Sequence, residues 1–419
     1  MRSTDSKKVL QILFFSFFLS FMTIRGATGN VALLIFLISM FVLTCNWHAF
    51  LNFSKNVEVK FLVGILLTPF LAVFFAQLIR LDMSTTHLDA PSRFVLVIPI
   101  MFSFYLYRIQ AARLITLAIP VALPVMALFA YFQQDGNYSA RWTVSYLDPI
   151  IWGNFSMILG FMCLYGVDPA IDSARRILYC LMGFAVGVAM SIMSQSRAGW
   201  VAACLLLSLW LFLNRKKISK ITFVVLFGLC LGAVYLGYQH ISIVQMRVDS
   251  AVSEIMGWLS GEEIETSTGY RLTMWKISGY LFGLRPLVGY GEESLLEYLS
   301  TPYILSFADA NSIYTLTCCG PHNEILAHMI RSGIFGLAFI FGVYIMPALY
   351  FFHRIKSNRE TDLRSERIGI ALCLGCFVCS FFSEMIGLKS TATFYAVCLA
   401  VLFANSLNER AEKNGIIRG

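Results

Sequence analysis

Apolar residues run along this chain in blocks of roughly 15 to 20, close to the ~20 that a helix needs to cross the ~30 Å hydrocarbon layer of a bilayer. Only helices and closed barrels satisfy their backbone in lipid, and these blocks lack the polar alternation of a barrel strand. The pattern predicts an all-α, polytopic integral membrane protein with about twelve transmembrane helices, at 9–24, 29–48, 61–79, 94–107, 114–132, 149–166, 177–194, 200–213, 221–238, 334–352, 369–387 and 391–406. The first block follows Lys7 and Lys8 as a signal peptide would, but further apolar blocks come at once, and it reads as a retained helix. One interval breaks the rhythm. Residues 239–333 form a long connection carrying Trp258, Trp275, Tyr280 and Phe282. It is too aromatic for a disordered linker and long enough to be functional, so an ordered cap with amphipathic helices is expected there. The chain divides into helices 1–9 over 1–238, this connection, and helices 10–12 with a tail over 334–419.

Composition agrees: 58% of residues are hydrophobic and 13% charged, with a mean hydropathy of +0.71. A net charge of +8 would suit nucleic acid, yet the cations are scattered among short links and form no stripe. They fix orientation instead. With an even number of crossings both termini share a side, and the most basic links, NRKKISK and HRIKSNRETDLRSER, fall on it. The positive-inside rule makes that side the cytoplasm. The turn carrying Arg197 and the long connection then lie on the outer face.

Three outer stretches hold candidate chemistry. In SQSRAGW, Ser194 to Trp200, Gln195 and Arg197 interrupt an apolar course. Arg197 either anchors a helix end by reaching the headgroups or offers a fixed charge to a ligand. The second stretch runs TGYRLTMWKISGYLFGLRPLVGYGEES from Thr268. As a helix it puts Leu272, Trp275, Gly279 and Leu281 near one face, so that it lies in the membrane interface with its cations outward. Lys276 and Arg285 read either as ordinary surface charges or as further ligand contacts. Arg271, beside Gly269 and Tyr270 at the helix start, sits where backbone N–H groups also favour an anion. GYGEE resembles a phosphate-cradling loop only loosely.

The third stretch is CGPHNEILAHMIRSGIFGL. Pro321 suits the first turn of a helix, which sets His322 at the boundary between the connection and a helix. His322 is either a hydrogen-bonded structural residue or a neutral imidazole able to take a proton. His328 falls on another helical face, so the two do not make a metal pair. Cys373, Cys376 and Cys379 have the spacing of an iron–sulfur ligand run but lie inside an apolar span without a fourth ligand nearby. They read as buried thiols. Cys318 and Cys319 pair elsewhere or stay free. Two arginines and a histidine with few carboxylates suit a substrate carrying a diphosphate. Arginine grips phosphate oxygens in a fork, and guanidinium groups would stabilise the departing diphosphate in place of a divalent metal.

In these motifs the chain resembles bacterial O-antigen ligases, within the larger group that includes O-antigen polymerases. The motifs are S-R-A-G (Ser196 to Gly199), G-x-R (Gly269, Tyr270, Arg271), and His-Asn (His322, Asn323) followed after nine residues by G-x-x-G (Gly333, Gly336). The resemblance covers nearly the whole chain and implies a glycosyltransferase of the bacterial inner membrane with its active site facing the periplasm. It implies transfer of an O-antigen glycan from undecaprenyl diphosphate to a sugar hydroxyl of the lipid A core, with inversion and without metal, nucleotide or other cofactor. The implied partners are the lipid-linked donor, the lipid A core acceptor and membrane lipids, with no nucleic acid. Carried onto this sequence, Arg197 and Arg271 hold the diphosphate, His322 orients or deprotonates the acceptor hydroxyl, Asn323 supports it, and Gln195 and Tyr270 are secondary contacts. An O-antigen polymerase would use the same donor with a second lipid-linked glycan as acceptor. A twelve-helix transporter is a third reading; Pro120 and Pro124 break the fifth span as carriers often do, but no internal repeat supports it.

Overall fold

The computed structural model describes residues 3–133, 141–215, 219–261, 265–291, 295–357 and 362–413. Lys216 and Lys217, Arg359, Arg418 and the Glu292–Ser294 end of GYGEES, all used in the sequence argument, lie outside the described residues. The described residues form helices and their links, with no strand among them. In order these are α1 (Ser3–Ser20), α2 (Ala27–Cys45), α3 (Trp47–Lys55), α4 (Val57–Arg80), α5 (Thr85–Leu96), α6 (Ile98–Leu106), α7 (Ala111–Phe132), α8 (Pro149–Tyr165), α9 (Ala174–Met193), α10 (Arg197–Asn214) and α11 (Lys220–His240). The long connection follows as α12 (Ser242–Ser260), α13 (Ser267–Leu284), α14 (Leu295–Leu299), α15 (Pro302–Leu305), α16 (Ala310–Cys319) and α17 (Glu324–Ser332). The last bundle helices are α18 (Ile334–Ile340), α19 (Met346–Ser357), α20 (Arg364–Ser380) and α21 (Lys389–Lys413), with a wide π turn at Phe341–Ile345 joining α18 to α19.

Each expected span coincides with a helix or a joined pair of helices, and among the described residues eight are long and apolar enough to cross a membrane. The protein is an all-α integral membrane protein. Two expectations need correction. The fourth span is two helices, α5 and α6, separated at Val97 with a proline in the first turn of α6. The fifth is not broken: α7 runs unbroken through Pro120 and Pro124. Neighbouring helices compensate for such prolines in membrane bundles, and Pro120 lies against Gly183 of α9.

Burial sorts the helices. α8 and α21 are enclosed on nearly all sides, whereas α2, α4 and α9 leave leucine, isoleucine and phenylalanine side chains exposed, as lipid-facing helices do. α8 and α9 touch through their backbones at Gly160 and Gly187, where a Cβ on Gly187 would stand 2.9 Å from the Gly160 Cα; small residues permit this approach in membranes. Phe21 and Phe394 stack at 3.7 Å in the same core.

The long connection builds a second, smaller core from Met274, Ile277, Leu281, Tyr290, Leu316 and Ile330. This changes the reading of α13. Its buried face is Thr273, Met274, Ile277, Ser278 and Leu281, while Gly279 is exposed. The helix turns its i, i+3, i+4 stripe toward α16 and α17, so its apolar face serves the cap core and not a lipid interface.

Candidate functional site

The S-R-A-G turn is seated on α8 by small residues. Ser194 and Ser196 are buried; Ser194 Oγ donates to the Ser191 carbonyl at 2.8 Å and Ser196 Oγ to Asn154 Oδ1 at 2.7 Å. Gly153 lies directly beneath, where any Cβ would overlap Ser194 Oγ. Gln195 takes a left-handed conformation, φ +56°, uncommon for a non-glycine residue and most often seen where structure over-determines it. This tight link leaves Arg197 at the start of α10.

Arg141 and Trp142 strap across the same turn. Arg141 Nε donates to the Ser194 carbonyl at 2.9 Å, and Trp142 N to the Met193 carbonyl at 3.1 Å. On the cap side, Glu254 of α12 accepts from Thr268 N at 2.9 Å and stands 3.8 Å from the Arg197 guanidinium. Thr266 caps α13 by accepting from Gly269 N at 3.0 Å, which fixes the first turns that carry Tyr270 and Arg271. Arg271, Arg197, Arg247 and Arg141 thereby share one region in which, among the described residues, Asp148 and Glu254 are the opposing carboxylates in their field. Burial first, and then the neighbouring guanidinium groups, push Arg271, Arg141 and Arg247 below the ordinary arginine pKa. Arg247 Nε is buried with no hydrogen-bond partner among the described residues. Arginine does not shed its proton, so a charge surplus remains that an anion would relieve.

His322 is held beside this cluster. It too is left-handed, φ +50°. Trp275 of α13 donates to the preceding Pro321 carbonyl at 3.0 Å, and Asn323 caps α17 by accepting from Leu326 N at 3.1 Å. The helix therefore opens at Asn323 and not at Pro321, because an Asn side chain satisfies an orphan N–H there and proline does not. Burial and then Arg271 push the His322 pKa below 6.5, with Asp148 and Glu384 pulling the other way. The imidazole is neutral near pH 7 and able to accept a proton.

Glu324 supports the other wall. It is buried at the first position of α17 and accepts from Tyr344 Oη at 2.6 Å, Met385 N at 3.2 Å and Ile386 N at 3.0 Å. That pins the link between α20 and α21, which carries Glu384. The G-x-x-G pair is structural: Gly333 has φ +59° and touches the Leu287 backbone, with Ile334 N donating to the Pro286 carbonyl at 2.8 Å. Gly289 and Gly291 of the GYGEE stretch lie against Ile330 and Arg331, and Tyr290 N and Gly291 N donate to those carbonyls at 2.8 and 3.1 Å. The described part of the stretch, Gly289 to Gly291, serves packing.

The structure brings Arg197, Arg271 and His322 together. Gln195 and Tyr270 flank the first two as chain neighbours. Asn323 is buried with its oxygen committed to the helix cap, a task that places His322 and leaves little surface for a ligand. Lys276 is exposed with its ammonium 3.9 Å above the Phe307 ring. Arg285 is stacked on Tyr290 and Tyr298, about 21 Å along the helix from Arg271. Neither joins the cluster. Sequence reasoning missed Arg141, Arg247, Glu254, Glu324 and Glu384, none of which stands in a recognisable motif. Among the described residues no group of three or more His, Cys, Asp or Glu side chains has a metal-binding arrangement. Cys373, Cys376 and Cys379 are buried in α20, and Cys318 and Cys319 are free and exposed.

Residues 182–341 match the family model described as O-antigen ligase. Over that segment the chain is similar to O-antigen ligases. That segment includes the S-R-A-G turn, α13 and the His322 junction, so it holds Arg197, Arg247, Arg271 and His322, while Arg141 lies outside it. An uncharacterized protein of Haemophilus influenzae is 24% identical over 309 residues, covering 71% of this chain and 75% of that protein. The match supports an enzyme of the O-antigen ligase or polymerase type.

Proposed function

We propose that the protein is an O-antigen ligase, transferring a glycan from undecaprenyl diphosphate to a sugar hydroxyl of the lipid A core at the periplasmic face of the bacterial inner membrane. The observation that carries this reading is the cluster of Arg141, Arg197, Arg247 and Arg271 beside a neutral His322. On a twelve-crossing reading with NRKKISK in the cytoplasm, the positive-inside rule favours an outer position for this cluster. Arg197 and Arg271 grip the diphosphate, with Arg247 and Arg141 completing the positive field. His322 faces them from the acceptor side.

The acceptor hydroxyl oxygen attacks the anomeric carbon from the face opposite the diphosphate. The bond from that carbon to the phosphate oxygen breaks, its electron pair leaves on the diphosphate, and the hydroxyl proton passes to His322. One displacement inverts the anomeric centre. Fixed guanidinium groups stabilise the charge that grows on the leaving group, usually the larger contribution, and the positioned base adds about 10²–10⁴-fold.

The test is transfer by purified protein in nanodiscs, with undecaprenyl-diphosphate-linked O-antigen, rough lipopolysaccharide and EDTA. The expected product is laddered lipopolysaccharide formed despite the chelator. Glycan lengthening on its own lipid would make the protein a polymerase, and an absence of any transfer would overturn the reading.

A further inference from the structure

Two adjoining cavities lie at the His322 junction. The first, about 450 Å³, is lined by His322, Asp148, Thr317, Ser383, Glu384 and Arg331 among others. The second, about 200 Å³, lies between α4, α5 and α17 and is lined by Gln77, Arg80, His87, His328, Arg331 and Glu384 among others. The two share Gly291, Arg331, Glu384 and Gly387 as common wall. In that wall Arg331 Nη1 lies 2.9 Å from Glu384 Oε2. Gly320, φ +71°, lies so close to this pair that a Cβ would stand 2.5 Å from Glu384 Oε1.

The second cavity carries polar groups that the fold does not satisfy. Gln77 is fully buried; its amide nitrogen donates to the Ser84 carbonyl at 3.1 Å, but its Oε1 has no partner among the described residues. Arg80 donates through Nη1 to the Arg331 carbonyl at 2.9 Å, while its Nε is buried and unpartnered. Leaving such groups without a partner is costly, so a ligand that donates to Gln77 and accepts from Arg80 gains by entering. An alkyl chain would strand them. An anion would meet Glu384 and Asp148. A neutral polyhydroxylated molecule, whose hydroxyls both donate and accept, fits guanidinium, carboxylate and amide groups together.

Building on the ligase reading, we propose that the two cavities are consecutive saccharide subsites for the acceptor. The first holds the sugar whose hydroxyl faces His322, and the second holds the next sugar of the same oligosaccharide. Arg331 and Glu384, standing in the shared wall, contact both sugars and set which acceptor is used. The donor phosphates stay on the arginine side.

The probe is the deacylated core oligosaccharide released from rough lipopolysaccharide, used in full and truncated by one sugar. Its binding to the full-length protein in nanodiscs is measured by saturation-transfer NMR and calorimetry, and transfer kinetics are measured separately. Gln77→Leu is expected to weaken binding of the full oligosaccharide about 10-fold, as loss of one good hydrogen bond does, and to leave the truncated one unchanged. Glu384→Gln is expected to raise KM for both acceptors while KM for the lipid-linked donor stays constant. If Glu384→Gln fails to fold, the Gln77→Leu comparison decides alone. Equal effects of Gln77→Leu on both oligosaccharides, or no binding of either to the wild type, would overturn the subsites. Binding that depends on Gln77 without any glycan transfer would keep the subsites and sink the ligase reading instead.

Discussion

At one end of the bundle Asp172 lies between two arginines, 3.3 Å from Arg176 and 2.7 Å from Arg364. Arg367 faces Asp168, Arg354 faces the buried Glu366, and Arg410 faces Glu58. At the other end four guanidinium groups share Asp148 and Glu254 as the opposing carboxylates among the described residues. The same helices connect the two: α8 runs from beside Asp148 to beside Asp168, and α20 runs from Arg364 toward Glu384. Charges matched within the fold bind the helices to one another. Charges left in surplus invite a counter-charge from outside the fold, and on the proposed reading a ligand supplies it at the second end. Stability given up at such a site is a common counterpart of function.

This contrast can be broken by substitution. The largest effect is expected from Asp172→Ala, which removes the counter-charge shared by two part-buried arginines, leaves Arg364 only the more exposed Asp362 at 3.4 Å, and should destabilise the fold by about 3–5 kcal/mol. Chemical unfolding in detergent reads that loss, and unchanged stability would dissolve the distinction between the ends. Next comes Arg271→Ala, expected to lower transfer about 10²–10³-fold while the thermal midpoint holds or rises, because mutual repulsion is relieved. Arg271→Lys should not restore activity, since an ammonium lacks the fork.

The pH dependence sharpens the picture. His322 has its pKa below 6.5 through burial and the nearby Arg271, so the neutral base persists below that pH and the acid limb of the rate profile lies lower than an exposed histidine would give. In a slow but active Arg271→Gln variant that limb should move upward, because a cation that disfavours protonation is gone. A downward move would contradict the juxtaposition. The smallest effect concerns Glu324, whose pKa burial pushes up to about 7 from 4.5. A buried acid of raised pKa contributes stability below its unfolded value that is lost as pH rises through the folded one. Thermal midpoints of wild type against Glu324→Gln should therefore diverge between pH 4.5 and about 7, with the wild type losing ground. A constant difference would mean the carboxyl does not titrate there.

Much of the bundle was legible because membrane helices announce themselves by length and apolarity alone. Arg197, Arg271 and His322 were legible because each sits in a short motif next to glycine or at a helix boundary. The remainder depends on chain segments that meet only in three dimensions. Arg141 comes from a link with no motif, Arg247 from a helix whose pattern gives no buried face, and Glu324 acts on a backbone 61 residues away. The face of α13 was misread because hydrophobic periodicity marks a stripe but not its partner, and a second protein core answers the pattern as well as a membrane surface does. Asn323 was given to the substrate, yet its spacing from Leu326 is also that of a helix cap, and the cap won.

The central claim is that the surplus positive end is a diphosphate site, and ligand-induced stabilisation tests it most directly. Thermal midpoints are compared for wild type and Arg197→Gln/Arg271→Gln protein in nanodiscs with undecaprenyl diphosphate, undecaprenyl monophosphate or neither. The account predicts that the diphosphate raises the wild-type midpoint more than the monophosphate does and that the double variant loses this gain. Equal responses to the two lipids, or an undiminished gain in the double variant, would contradict it.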